Sequence, residues 1–310
     1  SSFPIKLLIA LVGYIPVWMV NFLVFPVSFF YYIFSARARH ETRLYQKQLI
    51  SYTHGEKIKF PHPLRQIISF SLCVLEKIEG WSGKFELNRI DFQNDSIDEL
   101  RRQLSEGKGA LLIGSHLGNI EMLRSLASFN RTGVDRPVPV TAIMAVKATE
   151  KFNKTLAEMN PGSALNIISP DSIGPDTICQ LSECIEKGGL VVIAADRTSA
   201  NARNRYISEI FLGKEAPFPY GTFLIAALLN VPTYFVFALR KRNVMLYPKY
   251  NMYVRKSDIS FSCTRSEREN RIKTMCAEFC RELESLCREY PFQWYNFYNF
   301  WLMPDVITGR

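Results

Sequence analysis

Short apolar runs and longer amphipathic stretches alternate along most of this chain. Runs at 110–115, 138–146, 165–169, 190–195 and 231–239 are dominated by Val, Ile, Leu and Ala, and a further one lies near 244–254. Their length and continuous apolarity predict buried strands. Between them, apolar residues recur at helical spacing over 119–129, 149–159, 172–187, around 220–229 and over 265–289. Strands separated by helices of about ten or more residues do not pair as hairpins. They predict an α/β fold with a mainly parallel central sheet and helices on both faces. Upstream, 85–91 reads as a short strand and 96–106 as a capped helix closed by Gly107 and Gly109. The stretch 64–80 reads as a mostly apolar helix ending at Gly80.

The first part of the chain follows another pattern. No charged side chain occurs from Leu7 to Phe34, a length sufficient to cross a bilayer once with some tilt. Pro16 and Pro26 interrupt this run and Asn21 lies near its middle, so a kinked span and a re-entrant hairpin are equally open. The run is too long for a secretory signal and ends without a small-residue cleavage pattern. Directly after it, 37–65 holds seven Lys/Arg against two Glu, beginning with Arg37, Arg39, Arg43 and Lys47. Basic flanks of this kind stay on the cytoplasmic side and attract anionic headgroups. The expectation is a fold preceded by an N-terminal membrane-associating helical segment. Three parts follow: an apolar anchor over 1–36, a basic, helical membrane-proximal segment over 37–90, and an α/β catalytic domain over 91–310. The protein is thereby expected at the cytoplasmic membrane, with the catalytic domain on its cytoplasmic face.

Charge adds a partner class. The 310 residues carry a net charge of +9, which favours nucleic acid, an acidic protein or an anionic membrane surface. No zinc-finger spacing and no aromatic-and-Gly ribonucleoprotein box occurs, so nucleic acid is set aside. The seven cysteines form no CxxC pair and no Cys/His cluster of zinc spacing, so no metal is expected. Cys276, Cys280 and Cys287 share one stripe of the 265–289 helix with Ile272 and Leu283. They read as buried free thiols, which favour a reducing compartment.

The chemistry concentrates after the first strand of the alternating region. Gly109-Ala-Leu-Leu-Ile-Gly-Ser-His-Leu-Gly-Asn-Ile-Glu121 leads from an apolar strand through His116 into a helix carrying Glu121 in its first turn. In α/β proteins the carboxyl ends of the strands are where ligands bind. An imidazole held by a carboxylate is a general base for a hydroxyl or an amine. The same spacing also fits a helix start, with Gly118 as N-cap, Glu121 at N3 and His116 a rim residue. Ser115 stands one place early for a Gly-x-Ser-x-Gly nucleophile elbow. Three further stretches stand out: Leu190 to Ser199, which ends a buried strand in Asp196-Arg197; the Gly/Pro-punctuated loop Phe211 to Gly221; and the aromatic tail Pro291 to Trp301, read mainly as core packing.

With these four blocks in order, the chain resembles the lysophospholipid acyltransferase superfamily, in its bacterial branch of lipid A late acyltransferases. The carrying residues are His116-Leu-Gly-Asn-Ile-Glu121, Asp196-Arg197 with Phe211-Leu-Gly213, Pro217-Phe-Pro219-Tyr-Gly221, and Gln293-Trp294 through Phe300-Trp301. Where that branch has an Arg-rich segment, this chain offers only Lys147 and Lys151 as cations. The resemblance implies a membrane-associated acyltransferase of the inner membrane, moving a fatty acyl chain from acyl carrier protein or acyl-CoA onto a hydroxyl of a lipid or glycolipid. His116 is then the base and Glu121 fixes its tautomer, with no covalent intermediate and no cofactor beyond the acyl donor. Asn119, Lys147, Asp196 and Arg197 are implied as substrate-binding or oxyanion residues, together with backbone N–H groups after His116. The basic surface is implied to meet an acidic carrier protein and anionic membrane lipids. A lipid esterase or thioesterase using the same dyad is the alternative, as is a non-catalytic lipid-binding protein of the same fold.

Overall fold

The computed structural model describes residues 17–81, 86–93, 96–120, 122, 133–144, 166–197, 205–242 and 247–303. Seven strands make one sheet: β1 (Ile90–Phe92), β2 (Ala110–Gly114), β3 (Val140–Ile143), β4 (Asn166–Ile168), β5 (Leu190–Ala194), β8 (Thr233–Arg240) and β9 (Tyr250–Lys256). Their spatial order is β1-β9-β8-β2-β5-β3-β4. From β8 to β4 all neighbours are parallel. β9 runs antiparallel to β8 and carries β1 parallel to itself. The connection 241–249 is too short for a crossover helix, so β9 returns as a hairpin partner. Every residue of β2 and of β8 is buried, as expected of strands inside a sheet covered on both faces.

Among the described residues seven α-helices accompany the sheet: α1 (Val17–Phe34), α2 (Ala36–Tyr52), α3 (Pro63–Trp81), α4 (Ser96–Ser105), α5 (Pro175–Glu186), α6 (Tyr220–Leu229) and α7 (Arg265–Glu289). Strand side chains alternate between faces. Leu111, Ile113, Val191, Ile193, Phe235 and Phe237 meet Leu181 of α5, Phe223 of α6 and Phe279 of α7 on one side. Ala110, Leu112, Leu190, Tyr234 and Val236 meet Leu100 and Leu104 of α4 on the other. Cys276, Cys280 and Cys287 are buried on α7 beside Ile272 and Leu283, as their spacing predicts.

Two sequence expectations are corrected. Among the described residues no helix is long and apolar enough to cross a membrane. The membrane-spanning reading of the N-terminal segment is therefore overturned for residues 17–36, and with it the assignment to an inner-membrane, lipid A-type enzyme on the cytoplasmic face; residues 1–16 of the expected anchor lie outside the described residues. The described helix α1 has 18 residues, contains Pro26 and turns Asn21, Val24 and Ser28 inward, packing on α3. Its outward face leaves Trp18, Phe22, Leu23, Val27, Phe30 and Phe34 exposed. The basic block continues as a separate helix, α2, started by Ser35, whose hydroxyl accepts a hydrogen bond from Ala38 N. Its inner face buries Tyr45, Gln46 and Leu49, and Gln46 Nε2 donates to Gln66 Oε1 of α3 at 2.8 Å.

The second correction concerns the Gly/Pro loop, part of which is a hairpin. β6 (Tyr206–Phe211) and β7 (Lys214–Pro219) pair antiparallel around Leu212 and Gly213. Both turn residues have positive φ, +52° and +76°, the backbone of a tight two-residue hairpin turn. Leu212 pays the steric cost of that conformation because its side chain is buried and its N–H is held by Glu284 Oε2 at 2.6 Å.

Candidate active site

The register of the central strands brings the polar pair together. β2 and β5 are parallel neighbours with Gly114 opposite Ala194. His116 and Asp196 each follow two residues later, so both leave the sheet at the same carboxyl edge. His116 Nδ1 lies 2.8 Å from Asp196 Oδ1, and the His116 backbone N–H donates to Asp196 Oδ2 at 2.8 Å. Trp294 Nε1 donates to the same Oδ2, also at 2.8 Å. The Asp196 carbonyl in turn accepts from Asn296 Nδ2 and from the Tyr298 hydroxyl, each at 3.0 Å.

Electrostatics follows from this wiring. Asp196 is fully buried, and burial alone would raise its proton affinity. The His116 charge, its ring and backbone donors and the Trp294 N–H outweigh that and hold the carboxyl below its ordinary value. An ionised Asp196 is acceptor-only, so His116 Nδ1 carries the proton and Nε2 has the free lone pair. The His116 side chain is 36% exposed. Among the described residues nothing hydrogen-bonds to Nε2. The imidazole is thus anchored at its rear nitrogen by Asp196 and carries no partner at its front nitrogen among the described residues.

The chain beyond His116 is locked into the fold. Gly118 has φ +75°, and a Cβ there would stand 2.2 Å from the Ala238 carbonyl oxygen. Only glycine fits that approach. Gly118 N donates to the Gln293 carbonyl and Asn119 N to the Ala238 carbonyl, both at 2.8 Å. Tyr295 N donates to the His116 carbonyl at 2.9 Å. Gln293 also bridges Arg240 with its side chain, accepting from Arg240 N at 2.8 Å and donating to its carbonyl at 2.7 Å. The Arg240 guanidinium is buried and paired with Glu76 of α3. Burial works against its charge, and its neighbours, Glu76 foremost, together outweigh this. Arg240 is therefore a structural cation and not part of a basic surface.

Asp196 is the carboxylate on His116. Arg197 is exposed, with its guanidinium 5.3 Å from the centre of the Tyr298 ring. Asn119 is buried, and neither its side-chain oxygen nor its nitrogen has a hydrogen-bond partner among the described residues. Glu121 and Lys147 lie outside the described residues. Ser115 is buried and its hydroxyl accepts from Leu117 N at 3.0 Å, turned to the backbone and not to the imidazole. The backbone N–H groups of residues 116 to 119 are all spent within the fold. Among the described residues no group of three or more His, Cys, Asp and Glu could hold a metal ion. A cleft of about 510 Å³ lined by Glu99, Arg102, Glu106 and Lys108 opens at the amino end of the sheet, away from His116.

Spacing alone does not reveal what the aromatic tail contributes. It does pack: Trp294 sits against Tyr45, Phe211 and Phe300, and Trp301 Nε1 donates to the Phe211 carbonyl at 3.1 Å. It also supplies Trp294, Asn296 and Tyr298 to Asp196. The available signal was the polar residues Gln293, Asn296 and Asn299 interleaved with the rings, since buried amides need partners. No family model matches this chain, and no curated protein matches it either.

Proposed function

We propose that this chain is an acyltransferase in which His116, held by Asp196, serves as general base for transfer of an acyl group from a thioester to a hydroxyl. The observation that carries this reading is the buried Asp196 on Nδ1 of a partly exposed imidazole whose Nε2 has no hydrogen-bond partner among the described residues, with Ser115 turned away. A dyad without a nucleophile of its own activates an incoming hydroxyl directly. Nε2 takes the hydroxyl proton as the oxygen attacks the thioester carbonyl carbon. Asp196 stabilises the imidazolium that forms. The tetrahedral adduct then collapses, the carbon–sulfur bond breaks, and Nε2–H returns the proton to the departing thiolate. The unspent side-chain amide of Asn119 is the candidate donor for the oxyanion. Acyl carrier protein or acyl-CoA as donor, and a lipid hydroxyl as acceptor, rest on the motif resemblance of the His116, Asp196-Arg197 and Gln293-Trp294 blocks.

The test is thiol release and product mass from acyl-CoA and acyl carrier protein thioesters, with lipid hydroxyl acceptors present. His116→Ala is expected to lower transfer by about 10²–10⁴-fold. Full transfer by that variant overturns the reading. Free fatty acid as sole product in the presence of acceptor replaces transfer by hydrolysis.

A further inference from the structure

We propose that Trp294 is a positioning residue for the His116 base: its indole N–H locks the Asp196 carboxylate in the orientation that serves the imidazole and tempers the negative charge the imidazole meets. This rests on the reading of His116 as the general base.

Three donors converge on the two carboxylate oxygens. Oδ1 takes His116 Nδ1, while Oδ2 takes both the His116 backbone N–H and the indole. The indole is donor-only, so unlike a hydroxyl or a water it cannot reverse its role and leave Oδ2 facing a lone pair. It is also immobile. Trp294 is 1% exposed, with ring centres 4.8 Å from Tyr45, 5.2 Å from Phe300 and 5.3 Å from Phe211. Its carbonyl accepts from Gln66 Nε2 at 2.6 Å, and its backbone bridges to Leu117, the residue after the base. The same segment therefore grips the base and its carboxylate at once. Aromatic packing alone needs no N–H at this position. A buried indole donor aimed at a buried carboxylate is chemistry that a phenyl ring does not supply.

Few charges compete for this carboxylate among the described residues. Cys287 of α7 faces Asp196, and burial keeps that thiol neutral. Tyr298 and the exposed Arg197 flank it from the tail and from the end of β5. Tyr45 of α2, also neutral through burial, backs Cys287. With the indole donor removed, Oδ2 keeps only the His116 N–H. More negative charge then faces the ring, which favours the imidazolium.

The test replaces Trp294 in two ways. Trp294→Phe removes the N–H and some volume. Incorporation of 3-benzothienylalanine at position 294 keeps the shape and puts sulfur where the N–H stands. Ring ¹⁵N NMR follows His116 through a pH titration, and thermal melting checks folding. In both variants the His116 ring is expected to titrate about half to one pH unit higher than in the unaltered protein. The acidic limb of kcat/KM moves up with it, and KM above that limb stays unchanged. A wild-type titration of His116 in the folded benzothienyl variant overturns the proposal, and that variant decides alone if Trp294→Phe does not fold. The NMR titration needs no turnover. If it moves while no form of the protein consumes thioester, the acyl-transfer reading fails and the positioning role of Trp294 stands.

Discussion

Replacing Asp196 by Asn keeps the shape of a fully buried side chain and changes one acceptor oxygen into a donor group. Three donors meet the native carboxylate: His116 Nδ1 on one oxygen, and His116 N with Trp294 Nε1 on the other. An amide placed with its oxygen at the Oδ2 position satisfies two of them and aims its NH₂ at His116 Nδ1. The reversed amide leaves both the His116 N–H and the indole N–H against a donor, at about 1–3 kcal/mol for each buried group left unpaired. The first placement wins. It forces Nδ1 to be the acceptor, so the ring proton moves to Nε2, the atom that takes the hydroxyl proton in the proposed transfer. Recovering the productive tautomer means accepting the worse amide orientation, and the imidazolium has lost its counter-charge as well. Together these correspond to a fall in kcat of about 10⁴-fold, or about 5 kcal/mol of barrier. The assay is thiol release under saturating donor, with thermal melting to show that Asp196→Asn is folded. A folded Asp196→Asn protein retaining more than about a tenth of the wild-type rate would refute the tautomer argument.

Two other outcomes are expected. Asp196 titrates below its ordinary value of 3.8, so on acidification the unfolded chain binds the proton first. Its contribution to stability is complete above about pH 4 and is lost as pH falls through the lower folded value; chemical denaturation across pH 2–5 should show that loss in the native protein and not in Asp196→Asn. Gly118→Ala places a Cβ 2.2 Å from the Ala238 oxygen in a left-handed backbone, so denaturant melts should show a loss of at least about 1–2 kcal/mol, with thiol release falling further than the stability loss explains.

The parallel part of the sheet is legible because β2, β3, β5 and β8 are continuous apolar runs and the connections between them have room for helices. His116 and Asp196 stand at the ends of two such runs, so one sheet edge for both is legible too. Their direct contact is not, because only the strand order makes β2 and β5 neighbours, and strand order is a property of long-range pairing. The apolar run before Phe34 reads as a membrane segment because hydropathy averages over a helix. It does not register that Asn21, Val24 and Ser28 share the inward stripe. The β6–β7 hairpin escapes notice because its turn is Leu212-Gly213, without the Asn or Asp that usually marks two residues of positive φ. The aromatic tail reads as packing because ring content dominates its composition, whereas its role at Asp196 depends on single N–H and O–H groups.

That tail has a consequence for the order in which the protein is made. His116 and Asp196 emerge from the ribosome long before Trp294, which follows Asp196 by 98 residues. Domains form from the amino end as synthesis proceeds, so β2 and β5 can associate while the carboxylate still lacks its indole partner and the His116 carbonyl still lacks Tyr295. A nascent or prematurely terminated chain therefore holds the imidazole and its carboxylate without the clasp that aligns them. That clasp arrives late, with the segment that closes over both.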